Sequence, residues 1–373
     1  MDRIVVVGAG LAGLRAAETL RRDGFTGDLI LLGDESHPPY DRPPLSKQYL
    51  SGKWDMDKVW LRIEDGFDAD LRLGVAAVAL DVAARALTLA DGGTLAYDGL
   101  VLATGASPRT LPGFEDALLL RTLDDSRRLQ ASLTPGAKVT VIGAGFIGSE
   151  VASTAAELGC DVTIVEVLPR PLARVFPEPI GDALAAIHAE QGVTLRFGDS
   201  VTSAAALDAD IVVVGIGVTP NTAWLEASGL TLDNGVVCDE TCRALGGDDR
   251  VVAAGDIARW PNALFDGELM RVEHWTNAAE QAEVAAHSLL GAREPFAPVP
   301  YFWSDQYDVK IQFVGVAAPT DDFEVFEGSI ADRKFVAGFG RDGRLVGALA
   351  FSMPRQLMRY RALIAERSAF SRQ

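Results

Sequence analysis

Hydrophobic residues near the start of the chain run without alternation. "RIVVVGAGLAGLRAAETLRRDG", from Arg3, opens on a continuous β-branched stretch, the pattern of a strand buried on both faces. A glycine turn and a helix follow, and the helix is expected to close on Gly24. "DLILLGDE" reads as the next strand. The same succession returns at residues 138–166, "KVTVIGAGFIGSEVASTAAELGCDVTIVE". Two distant copies of one βαβ unit indicate a domain duplication rather than a short-period repeat.

Between the copies, "ALTLADGGTLAYDGLVLATG" predicts a hairpin turning at Asp91-Gly92, then an apolar strand. "GASPRTLPG" (105–113) has the composition of a crossing linker. The apolar strand in "ADIVVVGIGVTPNT" ends in a similar break at 217–222. "RVVAAGDIARW" predicts a strand with a Gly-Asp turn, and "TNAAEQAEVAAHSLL" a helix at about 276–290. "GAREPFAPVP" reads as a third linker. Beyond it, short strands ("KIQFVGV", "DFEVFEG", "KFVAGFG", "RLVGALAF") precede a terminal helix.

At roughly 100–200 residues per domain, 373 residues imply two or three domains. An apolar content of 48% is enough for real cores, and no apolar run nears the roughly 18 residues of a membrane span. "MDRIVVVGAG" lacks the basic region and cleavage site of a secretory signal, so a cytoplasmic location is expected. Three cysteines, Cys160, Cys238 and Cys242, suit a reducing compartment. The C-x-x-x-C spacing of the last two fits neither a redox pair nor a metal site. His37, His188, His274 and His287 are scattered, so no metal site is expected. A net charge of −18 disfavours nucleic acid and anionic membranes. The C-terminal stretch is locally basic, with Arg355, Arg359, Arg361, Arg367 and Arg372.

Both copies carry G-A-G-x-x-G: Gly8, Gly10 and Gly13, then Gly143, Gly145 and Gly148. The first glycine permits the tight turn, the second lets backbone approach a pyrophosphate, and the third lets helix and strand pack closely. The helix start offers free N–H groups to the phosphates. Each copy has an acid after its second strand, Asp34 or Glu35 in the first and Glu166 in the second, suited to a ribose 2′-hydroxyl. Two such sites imply two dinucleotides, and FAD with a nicotinamide nucleotide is the economical pair. Glu166 would repel a 2′-phosphate, which favours NADH over NADPH, with Arg170 four residues later softening the preference.

Taken together, "GAGLAG", "GDESHPPYDRPPLSK", "LATGASPR", "GAGFIGSEVA", "GIGVTPNT", "AAGDIA" and "WSDQY" resemble the FAD-dependent ferredoxin reductases of bacterial haem monooxygenases and Rieske-type dioxygenases. The likeness runs from residue 1 into the C-terminal part, at least to about 316. It implies an α/β fold: two Rossmann-like dinucleotide-binding domains of glutathione-reductase-like architecture plus an α+β C-terminal domain. FAD would occupy 1–108 with 221–297, NAD the inserted 109–220, and 298–373 would cover the flavin. The resemblance places Lys47 beside the flavin N5 edge, paired with Glu150. A cation held there would stabilise the negative charge of the reduced ring, and Pro43-Pro44 fix where the lysine starts.

By the same resemblance Ala12 belongs to the first loop, Asp34 to the adenosine ribose and Ala77 to the adenine. Arg121 would meet the flavin's phosphate or ribityl region, Asp256 the ribityl hydroxyls, near a helix start, and Trp275 the pyrimidine edge. Trp303 would lie close to the ring as a third catalytic candidate, and Gly217 would border the nicotinamide side. Glu35, Arg42, Ala103, Thr104, Gly105, Gly255 and Ile147 complete the expected cofactor set. The implied partner is a 2Fe–2S ferredoxin, acidic and transiently bound by a monomer or weak homodimer. Its docking face would be locally basic, drawn from Arg42, Lys53, Lys310 and the C-terminal arginines. No nucleic acid and no stable membrane association are expected.

Three rivals share the fold. A disulfide or peroxide reductase needs a redox cysteine near the flavin, yet the first cysteine is at 160. A quinone reductase needs a membrane anchor, for which only the C-terminal stretch is available. An NADH-dependent sensor resembling apoptosis-inducing factor would keep its reduced complex rather than turn over. One departure from the family pattern stands out: "SVTSAAALDAD" takes the place of a hairpin in the second nucleotide domain.

Overall fold

The computed structural model describes residues 1–371, so Arg372 lies outside the described residues. The chain forms two compact units. The first comprises Met1–Asp41, Trp60–Ser107 and Thr219–Pro300; the second comprises Arg42–Val59, Pro108–Val218 and the chain from Tyr301 onward.

The first unit is built on a five-stranded parallel sheet in the order Val251–Ala253, Gly99–Leu102, Arg3–Val7, Asp28–Gly33, Asp70–Leu73. Ile4, Val5 and Val6 lie on its central strand and are wholly buried, which is why the apolar run there does not alternate. The helix Leu11–Arg22 follows at once and ends through Asp23 and the left-handed Gly24. It packs on the helix Trp275–Leu289. The expected hairpin is present, Ala86–Leu89 against Thr94–Ala96, with Ala77–Asp81 added on the other side. The Gly-Asp turn is a single 3-10 turn, Gly255–Ile257.

A four-stranded parallel sheet anchors the second unit, ordered Thr194–Phe197, Asp161–Glu166, Lys138–Ile142, Ile211–Val214. Its core joins Val139, Val141, Val151, Ala155, Ile164 and Val213 to Leu50 and Leu129. The helix Leu123–Ser132 was not apparent in the apolar pattern. It starts from a capping box in which Thr122 and Asp125 satisfy each other's backbone N–H groups. This helix and the second glycine-loop helix, Phe146–Glu157, hold the 42–59 segment by its carbonyls. Ser126 Oγ donates to Leu45 O at 2.7 Å, Gln130 Nε2 to Tyr49 O at 2.6 Å, and Thr154 Oγ1 to Ser46 O at 2.7 Å. Residues 199–210 contain one 3-10 turn, Ala204–Ala206, where a hairpin was expected to be missing.

From Tyr301 the chain builds a five-stranded antiparallel sheet, followed by the helix Pro354–Ala365. Its first strand, Tyr301–Gln306, lies outside the expected set because "YFWSDQ" is more polar than its neighbours. The architecture is therefore α/β with two Rossmann-like parallel sheets and an α+β C-terminal part. Among the described residues no helix is long and apolar enough to cross a membrane.

Candidate active site

In the first glycine loop, Gly8 has φ +114°, and a Cβ there would lie 2.2 Å from Ala103 O and 2.9 Å from Thr104 N. Gly13 sits against Gly8, where a Cβ would come within 1.8 Å of Gly8 O. These two glycines are demanded by the fold. Gly10 is not: it adopts φ −84°, ψ −166°, and a Cβ would meet nothing within 4 Å. Bare backbone at the start of a twelve-residue helix, with open space beside it, fits the pyrophosphate of a dinucleotide. Gly255 is left-handed and close enough to Ala12 that its Cβ would lie 3.0 Å from that side chain. Its N–H is held by Gln281 Oε1 at 2.9 Å.

Several other residues expected at FAD gather in this unit. Glu35 accepts a hydrogen bond from Tyr40 Oη at 2.5 Å, and Asp34 accepts one from the Glu35 N–H. Gly74 N donates to Glu35 O, which brings the segment leading into Ala77 alongside. Gly105 O accepts from Asn221 N, and Asn221 Nδ2 donates to Thr104 O. Trp275, the first residue of its helix, donates from Nε1 to Asp41 Oδ1 at 2.6 Å. Burial pushes the Asp41 carboxyl above its ordinary value, with the Trp275 bond and Arg15 opposing. His274 caps that helix; burial lowers it to about 4, with the charge of Asp256 opposing.

The second loop repeats the logic. Gly143, at φ +101°, would place a Cβ 2.5 Å from Gly215 O, and Gly148 would place one 2.1 Å from Gly143 O. Gly145 is again the uncrowded position, with its nearest neighbour at 4.0 Å and an ordinary φ of −76°. Ile147 is exposed in the first turn of the helix. Glu166 folds back on the loop: Oε2 accepts from Ala144 N at 2.8 Å and Oε1 from Leu168 N at 2.9 Å. Arg170 is engaged elsewhere, with Glu178 at 2.8 Å and Asp182 at 3.0 Å. Gly217 is left-handed, and its carbonyl accepts from Arg109 N.

Lys47 follows the 3-10 turn Pro43–Ser46, and its Nζ lies 2.8 Å from Glu150 Oε2. Glu150 is buried and Lys47 largely so, their side chains 3% and 10% exposed. Two serines complete the carboxylate's shell. Ser46 Oγ donates to Oε2 at 2.5 Å and Ser304 Oγ donates to Oε1 at 2.7 Å. A buried carboxylate met by an ammonium and two hydroxyls has the partners that burial requires. Reasoning from the sequence singled out neither serine, although Ser46 stands in "RPPLSK" and Ser304 in "WSDQY". Tyr40, Asp41, His274 and Gln281 were missed in the same way.

The remaining flavin candidates divide between the units: Arg42, Lys47, Arg121 and Trp303 belong to the second, the others to the first. Arg42 Nη1 donates to Arg121 O at 2.6 Å. Trp303 is half-buried and stacks on Tyr301, ring centroids 6.0 Å apart. The cysteines are unbonded thiols, and burial raises Cys238 and Cys242 well above the ordinary range, which suits a packing role and not a nucleophile. Among the described residues no group of His, Cys, Asp and Glu is arranged to hold a metal ion.

Comparison with known proteins adds to this geometry. Residues 2–282 match the pyridine nucleotide-disulphide oxidoreductase family, and residues 301–373 match the reductase C-terminal family. The chain is 39% identical over 386 residues to the anthranilate 1,2-dioxygenase system ferredoxin–NAD(+) reductase component of Burkholderia cepacia, covering 98% of this chain and 94% of the relative. It is 38% identical over 384 residues to rhodocoxin reductase of Rhodococcus erythropolis, covering 97% and 89%. Among solved structures, the covalent putidaredoxin reductase–putidaredoxin complex superposes with a TM-score of 0.92 at 34% identity, covering 98% of this chain and 93% of that one.

Proposed function

Because the chain belongs to the pyridine nucleotide-disulphide oxidoreductases, among the ferredoxin–NAD reductases of that family, we propose that it passes electrons from NADH through FAD to a 2Fe–2S ferredoxin serving a haem monooxygenase or Rieske-type dioxygenase. The observation that carries this reading is the buried Lys47–Glu150 pair. FAD, when bound, takes an electron pair from NADH and gives electrons up singly.

The chain's own residues bind, orient and neutralise. Gly8, Gly10 and Gly13 with their helix hold the pyrophosphate of FAD; Gly143, Gly145 and Gly148 hold that of NADH. Glu35 or Asp34 and Glu166 take the ribose hydroxyls. Lys47 offers a fixed positive charge to the negative charge that reduction brings, and Glu150 keeps it in place. Such charge is effective because it is oriented in advance and shielded from water. Trp303 would shield the flavin or help electrons leave it. FAD is assigned to 1–108 with 221–297, NAD to 109–220, and the cover to 298–373. Three unpaired cysteines support a cytoplasmic setting.

The ferredoxin is acidic and binds transiently. In support, the basic candidates Arg42, Lys53, Lys310, Arg355, Arg359, Arg361 and Arg367 all fall in the second unit. Lys53, Lys310 and Arg359 are tethered by Glu157, Asp305 and Glu327, which fixes where their charge is displayed.

The direct test is NADH-driven cytochrome c reduction by the purified protein, with and without a 2Fe–2S ferredoxin from an oxygenase system. Strong stimulation is expected; flavin that NADH reduces but only a quinone reoxidises would replace the reading by the quinone-reductase one. Lys47→Ala is expected to slow flavin reduction about 100-fold while FAD stays bound. Unchanged reduction kinetics would remove Lys47 from the site. The ferredoxin-dependent rate should fall as salt rises, and a flat rate would discard the basic docking face.

A further inference from the structure

The strand Tyr301–Gln306 meets the helix Phe146–Glu157 at two points, and Tyr307, just beyond the strand, adds a third. The Phe302 ring meets Phe146 edge-on, centroids 4.6 Å apart; Ser304 Oγ donates to Glu150 Oε1 at 2.7 Å; and Tyr307 N donates to Ser153 Oγ at 2.7 Å. The spacing explains the first two. Two strand residues advance about 6.7 Å and four helix residues about 6 Å, so alternate strand positions meet successive helical turns. Ser304 and Gln306 face inward and are wholly buried, whereas Trp303 and Asp305 are half-buried. A hydroxyl at a wholly buried strand position needs a partner, and the glutamate supplies it. Gln306 Nε2 approaches Ser304 Oγ at 3.3 Å as a donor, which leaves the serine's own proton for Glu150. On the carboxylate, Oε2 serves Lys47 and Ser46 while Ser304 is the partner of Oε1.

We propose that Ser304 is a positioning residue for the Lys47–Glu150 pair, so that the C-terminal sheet sets the orientation of the cation on which flavin reduction depends. The hydroxyl fixes the plane of the carboxylate, and the carboxylate fixes the ammonium. Without it, Oε1 loses its donor and the plane of the carboxylate is held through Oε2 alone. This rests on the role given above to Lys47 and Glu150.

The test compares Ser304→Ala, Ser304→Thr and the wild-type holoprotein in three measurements. Stopped-flow reduction by NADH should show the limiting rate of Ser304→Ala reduced about tenfold or more, as for loss of a hydrogen bond to a charged group. Its apparent Kd for NADH should stay within about twofold, and Ser304→Thr should recover most of the rate. In a Glu150→Gln background, Ser304→Ala should add less than about twofold, because the serine acts through the carboxylate. Acylation of Lys47 by a water-soluble amine reagent, read by peptide mass spectrometry, should rise several-fold in Ser304→Ala. Equal loss of rate in both backgrounds, or unchanged Lys47 labelling, would overturn the proposal. If Ser304→Ala does not fold, Ser304→Cys, with its weak donor, takes its place under the same criteria. Wild-type flavin that NADH leaves oxidised would overturn the underlying reading as well. Failure of a ferredoxin to accept electrons bears only on the proposed function, since none of the three measurements uses one.

Discussion

Two glycine loops of the same spelling stand at the heart of the two units, and their helices are put to different uses. Leu11–Arg22 packs on the helix Trp275–Leu289, and its buried glutamate is spent on structure: Glu18 is paired with Arg15 and accepts from Glu64 N at 2.8 Å. Phe146–Glu157 carries Glu150, Ser153 and Thr154 instead, and these meet Lys47, Tyr307 N and Ser46 O. The acids that follow also differ. Glu35 is held by a tyrosine hydroxyl, whereas Glu166 is drawn onto the N–H of its own loop. Under the function proposed above, the motif marks where a dinucleotide would bind, and the residues beyond its third glycine would decide whether the helix takes part in the chemistry.

The sharpest break of the comparison lies within each loop. Gly13→Ala and Gly148→Ala would drive a Cβ into a backbone carbonyl and should each cost more than about 4 kcal/mol, seen as loss of soluble folded protein. Gly10→Ala and Gly145→Ala should keep the fold and lose the ligand. The first should lower the FAD retained through gel filtration; the second should raise the Kd for NADH at least about tenfold while leaving FAD in place. Full FAD content in Gly10→Ala would deny that the open space beside it receives the pyrophosphate.

Each unit also holds one neutral histidine, the half-buried His274 in the first and the wholly buried His188 in the second, both lowered to about 4 by desolvation from an ordinary 6.5. Between these values the unfolded chain binds protons that the native one refuses. Stability is therefore whole above about pH 6.5 and falls as pH drops towards 4, by about 3 kcal/mol for each histidine. Thermal unfolding from pH 7 to 5 should show a shallower decline in His188→Gln than in wild type; identical slopes would mean that His188 is not protected. The smallest effect is expected at Glu166. Glu166→Ala should narrow the preference for NADH over NADPH, measured as the ratio of kcat/KM values, but only in part, because Arg170 remains committed to Glu178 and Asp182. An unmoved ratio would take coenzyme choice away from Glu166.

Much of this was legible from sequence because it is local. The β-branched runs at Arg3–Val7 and Lys138–Ile142, the glycine turns after them and the Asp91-Gly92 hairpin are written in consecutive residues. The helix Leu123–Ser132 was not, since its start depends on a Thr122–Asp125 exchange and only Leu123, Ser126 and Leu129 are buried. Tyr301–Gln306 was hidden because two of its buried positions, Ser304 and Gln306, are polar, and Ser304 answers Glu150, more than a hundred residues earlier. Lys47 and Glu150 came from a family likeness; no spacing rule links them. Ser46 and Ser304 sat inside quoted motifs, but a serine states its purpose only when its acceptor is in view.

The chain passes from one unit to the other at residues 41/42, 59/60, 107/108, 218/219 and 300/301. Neither unit is thus a contiguous stretch that a ribosome could release to fold alone. The first waits for Val251–Ala253 to flank its sheet, and the second waits for Tyr301–Gln306 to close over Phe146 and Glu150. Until those segments emerge, the nascent second unit has the Phe146 ring without its Phe302 partner and a carboxylate short of one donor. Contacts of such long sequence separation form slowly. Synthesis and maturation are therefore coupled through the segment from Tyr301, and a ribosome stalled before its codon would hold a chain with both glycine loops made and Glu150 still short of Ser304.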